Sequence, residues 1–120
     1  MPKTKRALCV DDNPEHCLLL EIMLQPFDCA AIKAYGFGEA LNLIETERFD
    51  LHILDKRLGD GCGLELCRAT RARFPQAPIV FYTADAFPVH RAAGFAAGAT
   101  EYVAKPNFEK LQTVVARLFA

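Results

Sequence analysis

Short apolar runs alternate along the chain with longer segments whose apolar residues recur three and four positions apart. The first pattern is typical of buried strands and the second of amphipathic helices. The runs predict five strands, at Ala7–Val10, Cys29–Ala34, Asp50–Leu54, Ile79–Tyr82 and Glu101–Ala104. The longer segments predict five helices, at Pro14–Leu24, after Gly36 and Gly38, at Leu64–Arg73, at Pro88–Ala97 and at Phe108–Leu118. Strict alternation of strands and helices indicates an α/β fold, a doubly wound parallel sheet covered on both faces.

The apolar positions also predict which side of each helix is buried. In the first helix these positions are Cys17, Leu18, Leu20, Met23 and Leu24. We expect this stripe to face the sheet, with Glu15, His16 and Glu21 directed outward.

Composition restricts the function classes. The 120 residues fit one domain spanning 1–120, and 52% hydrophobic with 24% charged residues is typical of a globular protein. A net charge of −1 gives no general attraction to nucleic acid or membranes. The five scattered cysteines suggest neither a disulfide framework nor a zinc site. With no signal-peptide pattern, we expect a cytoplasmic protein.

Polar side chains follow four of the predicted strands. Asp11 and Asp12 come after the first, Asp55 after the third, Thr83 after the fourth and Lys105 after the fifth. Because the carboxyl ends of parallel strands lie at one edge of a sheet, we expect these residues to share a crevice. Clustered carboxylates repel unless a cation is present, and an all-oxygen site suits Mg²⁺.

Such a crevice has a plausible chemistry. One carboxylate can attack phosphorus and form an aspartyl phosphate, while Lys105 and Thr83 interact with the phosphoryl oxygens. Each residue alone has a plainer explanation, since Asp often caps helices, Thr favours strands and Lys is usually exposed. Four strand ends carrying such residues together are much harder to attribute to chance.

The motifs themselves are specific. They are CVDDN around Asp11 and Asp12, LDKRLGDGCGLEL from Asp55, VFYTA around Thr83 and YVAKP around Lys105. From about Lys5 to the C-terminus, the chain resembles the receiver domain of two-component response regulators, at the scale of the single-domain chemotaxis regulators. The resemblance implies a flavodoxin-like (β/α)5 fold with strand order 2-1-3-4-5.

The resemblance also implies site roles. Asp55 would accept a phosphoryl group from a histidine kinase or phosphotransfer protein. Asp11, Asp12, Asp55 and the backbone carbonyl of Arg57 would surround Mg²⁺, with Asp12 the more direct acid ligand. The only enzymatic activity implied is self-catalysed phosphorylation and dephosphorylation.

In this family, phosphorylation draws the threonine hydroxyl inward and an aromatic ring turns into the vacated space. Thr83 and Tyr102 occupy these positions, and an ordinary half-buried strand aromatic is the alternative for Tyr102. The output surface would be the fourth helix, fifth strand and fifth helix. It would act on a partner protein or a missing effector domain, without direct nucleic-acid binding or membrane insertion.

Three features depart from the family pattern. Gly59 stands where a proline is usual, which predicts a more mobile loop. Pro88 predicts a delayed or short fourth helix and an altered output face. Arg57 and Asp85 are predicted to pair over the pocket mouth, where they would hinder attacking water and lengthen the phosphoryl lifetime.

Two other functions stay open at this point. An unphosphorylated interaction scaffold would have no need for clustered acids. A phosphatase with an aspartyl nucleophile generally needs an acid two residues further on, where Arg57 stands. His52, in an apolar strand, is expected to be a hydrogen-bonded core histidine.

Overall fold

The computed structural model describes residues 4–120, so residues 1–3 of the predicted domain lie outside it. Five parallel strands form one sheet in the order β2-β1-β3-β4-β5. They are β1 (Lys5–Val10), β2 (Cys29–Ala34), β3 (Leu51–Leu54), β4 (Ile79–Thr83) and β5 (Glu101–Ala104). The predicted flavodoxin-like fold and strand order are confirmed.

Five helices connect and cover the strands. They are α1 (Pro14–Leu24), α2 (Phe37–Thr46), α3 (Gly63–Arg73), α4 (Pro88–Ala96) and α5 (Phe108–Leu118). A 3₁₀ turn, Gln25–Phe27, follows α1. No helix within residues 4–120 is long and apolar enough to cross a membrane.

The sheet separates two apolar layers because successive side chains of a strand point to opposite faces. In β1, Ala7 and Cys9 pack into the layer that α1 and α5 cover. Leu8 and Val10 pack into the other layer, which contains buried residues of α2 and α3. Burial on both faces explains why the strands have near-continuous apolar sequences.

Helix α1 corrects one prediction. Its Cys17, Leu20 and Leu24 are buried as expected, but Leu18 is 50% exposed. Leu18 is one residue after Cys17, about 100° around the helix, and this rotation takes it out of the buried stripe. Leu18 is therefore part of an exposed apolar side of α1, together with Leu19 and Ile22.

Helix ends follow local sequence signals. The Asn13 side chain caps α1 by accepting a hydrogen bond from the Glu15 amide at 2.9 Å, and Pro14 occupies the first turn. Pro88 likewise begins α4, as the sequence predicted. The helix has nine residues and ends before Gly98, whose φ is +114°.

The loop after β3 is folded rather than open. Its segments Arg57–Leu58 and Gly61–Cys62 form a small antiparallel hairpin that sequence patterns did not indicate. Between them, the Asp60 carboxylate accepts hydrogen bonds from the amides of Phe37 (2.6 Å) and Gly38 (3.1 Å), at the start of α2. These bonds lower the Asp60 pKa. These contacts connect the loop to the start of α2, and the mobility expected from Gly59 stays a prediction.

Candidate functional site

Backbone pairing at the carboxyl ends of the strands brings the predicted site residues to one edge. The Asp11 amide donates to the Ala34 carbonyl at 3.1 Å, and the Asp55 amide donates to the Val10 carbonyl at 2.9 Å. On the other side of β3, the Lys105 amide donates to the Thr83 carbonyl at 2.9 Å. The first residues after β1, β3 and β5 are thus held by neighbouring strands.

The three acids form a cluster. Asp11 and Asp55 are buried, at 2% and 8% exposure, whereas Asp12 is exposed. One carboxylate oxygen from each lies within 4.8 Å of the others. Carboxylate oxygens at this spacing suit a small divalent cation such as Mg²⁺, with the exposed side open to water ligands. The cluster can therefore hold a metal ion.

Lys105 bridges the two buried acids. Its ammonium donates to Asp11 Oδ2 at 2.6 Å and to Asp55 Oδ2 at 2.9 Å. Burial acts to lower the Lys105 pKa, but the hydrogen bonds to Asp11 and Asp55 outweigh it and the net shift is upward. Lys105 is thus a fixed cation beside both carboxylates.

A third contact of Lys105 was not predicted from the sequence. His16 Nδ1 lies 2.8 Å from the Lys105 ammonium nitrogen and 3.4 Å from Asp11 Oδ2. The apolar pattern of the first helix predicted that His16 is directed outward, but in the structure its Nδ1 faces Lys105 and Asp11 at the edge of the pocket.

Close backbone approach fixes the position of Asp55. The Arg57 amide lies 3.3 Å from Asp55 Oδ1 as a hydrogen-bond donor. A Cβ atom on Gly63, the first residue of α3, would lie 2.1 Å from the Asp55 carbonyl oxygen. Only glycine therefore allows α3 to begin this near the backbone of Asp55. The role of the Arg57 carbonyl as a metal ligand stays a prediction.

Thr83 and Tyr102 lie on neighbouring strands, as the predicted pair of switch residues requires. The Thr83 hydroxyl is buried and lies 3.4 Å from the Asp85 amide. The Tyr102 ring is fully buried, and its centroid lies 5.4 Å from that of the Phe81 ring. The Tyr102 hydroxyl donates a hydrogen bond to the Asp85 carbonyl at 2.5 Å. In this structure the ring occupies an inward position.

Charged residues surround the mouth of the pocket. Arg57 Nε donates to Asp85 Oδ2 at 2.9 Å, and this bond lowers the Asp85 pKa. The predicted Arg57–Asp85 contact is present, with the arginine side chain 79% exposed. The ammonium nitrogen of Lys56 lies 3.6 Å from Asp85 Oδ2 and 2.6 Å from His90 Nδ1. The sequence patterns did not indicate this residue.

His52 lies in the core, away from this pocket. It is fully buried, and its Nδ1 is 3.1 Å from the Pro78 carbonyl oxygen, as predicted for a hydrogen-bonded core histidine. Its Nε2 has no hydrogen-bond partner within residues 4–120. The rings of Phe49 and Phe74 pack against it, and burial lowers its pKa.

The comparisons with known proteins agree with this geometry. The family model for the response regulator receiver domain matches residues 7–116. The response regulator protein PilR of Pseudomonas aeruginosa is 36% identical over 113 residues, covering 93% of this chain but 25% of PilR. The chain belongs to the response regulator receiver domain family and is a receiver domain of two-component systems.

Solved structures support the same assignment. The chemotaxis response regulator CheY4 of Vibrio cholerae superposes with a TM-score of 0.87 at 28% identity, covering 97% of this chain and 99% of that one. The response regulator TrrA of Thermotoga maritima, in complex with Mg²⁺-BeF, superposes with a TM-score of 0.84 at 34% identity. The match covers 95% of this chain and 98% of that one. The chain spans about a quarter of the curated relative PilR, so it corresponds to one part of that protein.

Proposed function

We propose that the chain is a phosphoacceptor receiver whose Asp55 takes a phosphoryl group. The observation that carries this proposal is the Lys105 ammonium, which bridges Asp55 and Asp11 inside a cluster of three acids. A partly buried cation at hydrogen-bond distance from the acceptor carboxylate is positioned to neutralise charge on an incoming phosphoryl group.

An Asp55 carboxylate oxygen attacks phosphorus of a phosphohistidine on the donor, so an O–P bond forms as the N–P bond breaks. The leaving imidazole nitrogen keeps the electron pair and takes a proton from solvent. Lys105 and the Thr83 hydroxyl donate hydrogen bonds to the phosphoryl oxygens.

A divalent ion fits the site. Asp11, Asp12 and Asp55 would hold Mg²⁺, with the Arg57 carbonyl as a further ligand and Asp12 the more direct of the acids. When bound, the ion would neutralise charge on the acids and on the phosphoryl oxygens. The similarity to TrrA, solved with Mg²⁺-BeF, supports this choice.

The switch would use Thr83 and Tyr102. When the hydroxyl of Thr83 turns toward the phosphoryl group, the inward Tyr102 conformer becomes more favourable, and the population of the active state rises. The output surface would be α4, β5 and α5. Exposed apolar side chains on and just before α4 support this choice, since Phe87 and Val89 are 73% and 70% exposed.

The Arg57–Asp85 pair would regulate the lifetime of the phosphoryl group. The two residues pair at the pocket mouth, each two residues after Asp55 or Thr83, where they would hinder the attacking water. The pair is partly exposed, so its effect should be small.

The phosphoryl donor would be a sensor histidine kinase or a histidine phosphotransfer protein in the cytoplasm. The receiver of this chain would act on a downstream protein or on an effector domain in a longer chain. Neither direct nucleic-acid binding nor membrane insertion is part of the proposal.

Beryllofluoride binding tests the proposal. In the presence of Mg²⁺, beryllofluoride should bind wild type and perturb the NMR signals of Asp55, Thr83 and Tyr102. Asp55→Asn, which keeps the size of the side chain but removes the charge, should abolish these changes. An equal response in the Asp55→Asn variant would contradict the assignment of Asp55, and no response in folded wild type would favour the interaction scaffold.

A further inference from the structure

The Lys105 ammonium has a complete set of acceptors. A lysine ammonium carries three hydrogens. Asp11 Oδ2 accepts one at 2.6 Å, Asp55 Oδ2 accepts the second at 2.9 Å, and His16 Nδ1 lies at 2.8 Å as the third acceptor. Three acceptors fix the direction of the ammonium group, whereas two leave it free to tilt.

The chemistry of the pair defines the direction of the third hydrogen bond. An ammonium can only donate, so His16 Nδ1 accepts from Lys105 in the tautomer that carries the ring hydrogen on Nε2. In that tautomer His16 is a neutral acceptor, whereas the other two acceptors on the same lysine are carboxylates.

Local structure holds His16 in place. It is the third residue of α1, whose N-terminus is capped by Asn13. The Asn13 amide also donates to Asp11 Oδ1 at 2.9 Å, while Asp11 Oδ2 faces Lys105. The start of α1 and the Asp11 carboxylate are thus one connected unit, which carries His16 to the lysine.

We propose that His16 is a positioning residue for phosphoryl transfer, holding the Lys105 ammonium in the direction needed at Asp55. The inference rests on the proposed function of Asp55. His16 contacts Lys105 at 2.8 Å and Asp11 at 3.4 Å, and the shorter contact is the one through which it would act on Asp55. The His16 side chain is 39% exposed, and its replacement should leave the apolar core intact.

Two variants separate positioning from a general structural role. His16→Leu removes the acceptor at similar size. His16→Asn keeps an acceptor, because Oδ1 of asparagine is attached at the same point of the side chain as Nδ1 of histidine. Both are compared with wild type under the same conditions at neutral pH.

The first readout is the ¹⁵N and ¹H NMR signal of the Lys105 ammonium group at low temperature. We expect His16→Leu to shift this signal and speed its hydrogen exchange, and His16→Asn to return it toward the wild-type position. His90→Leu is the matched control, because it breaks the other close lysine–histidine contact, at Lys56. It should leave the Lys105 signal unchanged.

The second readout is the rate of Asp55 phosphorylation by acetyl phosphate with Mg²⁺. Here an Asp55 oxygen forms a bond to phosphorus as the bond to acetate breaks, and acetate leaves with the electron pair. Loss of one hydrogen bond should slow this step roughly threefold to tenfold in His16→Leu, with recovery in His16→Asn.

The outcomes distinguish the two proposals. If wild type takes no phosphoryl group, the proposed function fails, while the ammonium signal still tests the contact between His16 and Lys105. If wild type is phosphorylated and His16→Leu equals it in both readouts, the positioning role is overturned. A change in His16→Leu that His16→Asn does not reverse would also overturn it.

Discussion

Replacing Gly94 by alanine tests whether the inward position of Tyr102 depends on a missing side chain in α4. A Cβ atom at Gly94 would lie 2.6 Å from Cδ2 and 2.7 Å from Cε2 of the Tyr102 ring. Both distances are far shorter than the 3.5–4.0 Å of a favourable carbon contact. The ring or the helix must therefore move in the variant.

Two opposite effects determine how Gly94→Ala changes the free energy of unfolding. Alanine in place of glycine in a helix interior stabilises by up to about 1 kcal/mol. Overfilling a packed site costs about 1–3 kcal/mol, and an outward Tyr102 also loses its 2.5 Å hydrogen bond to the Asp85 carbonyl. We expect Gly94→Ala to destabilise the folded chain, because the second effect is the larger one.

The assay is a double-mutant cycle of denaturant unfolding with Tyr102→Leu. When the ring is absent, Gly94→Ala should become neutral or stabilising, so the sign of its effect reverses. Gly38→Ala in α2 is the matched control, because its Cβ would meet only Asp60 Oδ2 at 3.7 Å. If Gly94→Ala stabilised the chain equally with and without the Tyr102 ring, the reasoning would be refuted.

Three further substitutions test other parts of the structure. Asp60→Ala should speed hydrogen exchange at the amides of Phe37 and Gly38 and lower the melting temperature, and unchanged exchange there would rule out the helix-capping role. Burial lowers the His52 pKa from 6.5, so its contribution to stability is complete above pH 6.5 and is lost as the pH falls toward the folded-state value. His52→Leu should flatten that part of the pH profile of unfolding, and an unaltered profile would show that another group causes it. Arg57→Ala should speed dephosphorylation at most about fivefold, with exposed Arg68→Ala as the control, and an unchanged rate would remove the protective role of the pair.

The elements and the acid cluster could be predicted because they depend on local patterns. The bounds of α1 and β2 match the prediction, and those of β1 differ only at the start, where Lys5 and Arg6 extend the strand without an apolar signal. Parallel pairing then determines which strand ends meet, so the meeting of Asp11, Asp55 and Lys105 followed from the fold class.

The remaining features depend on contacts between segments far apart in sequence. Asp60 is 23 residues from the Phe37 amide that it caps, and His16 is 89 residues from Lys105. Neither spacing leaves a periodic signal. The exposure of Leu18 likewise depends on how α1 is rotated against the sheet, which the apolar pattern of α1 left ambiguous.

The most direct test of the account is the intact mass of the chain after incubation with acetyl phosphate and Mg²⁺, wild type beside Asp55→Asn. The account predicts a mass increase of one phosphoryl group in wild type, lost in Asp55→Asn and on removal of Mg²⁺. Phosphorylation that persists in the Asp55→Asn variant, or a folded wild type that gains no mass, would contradict it.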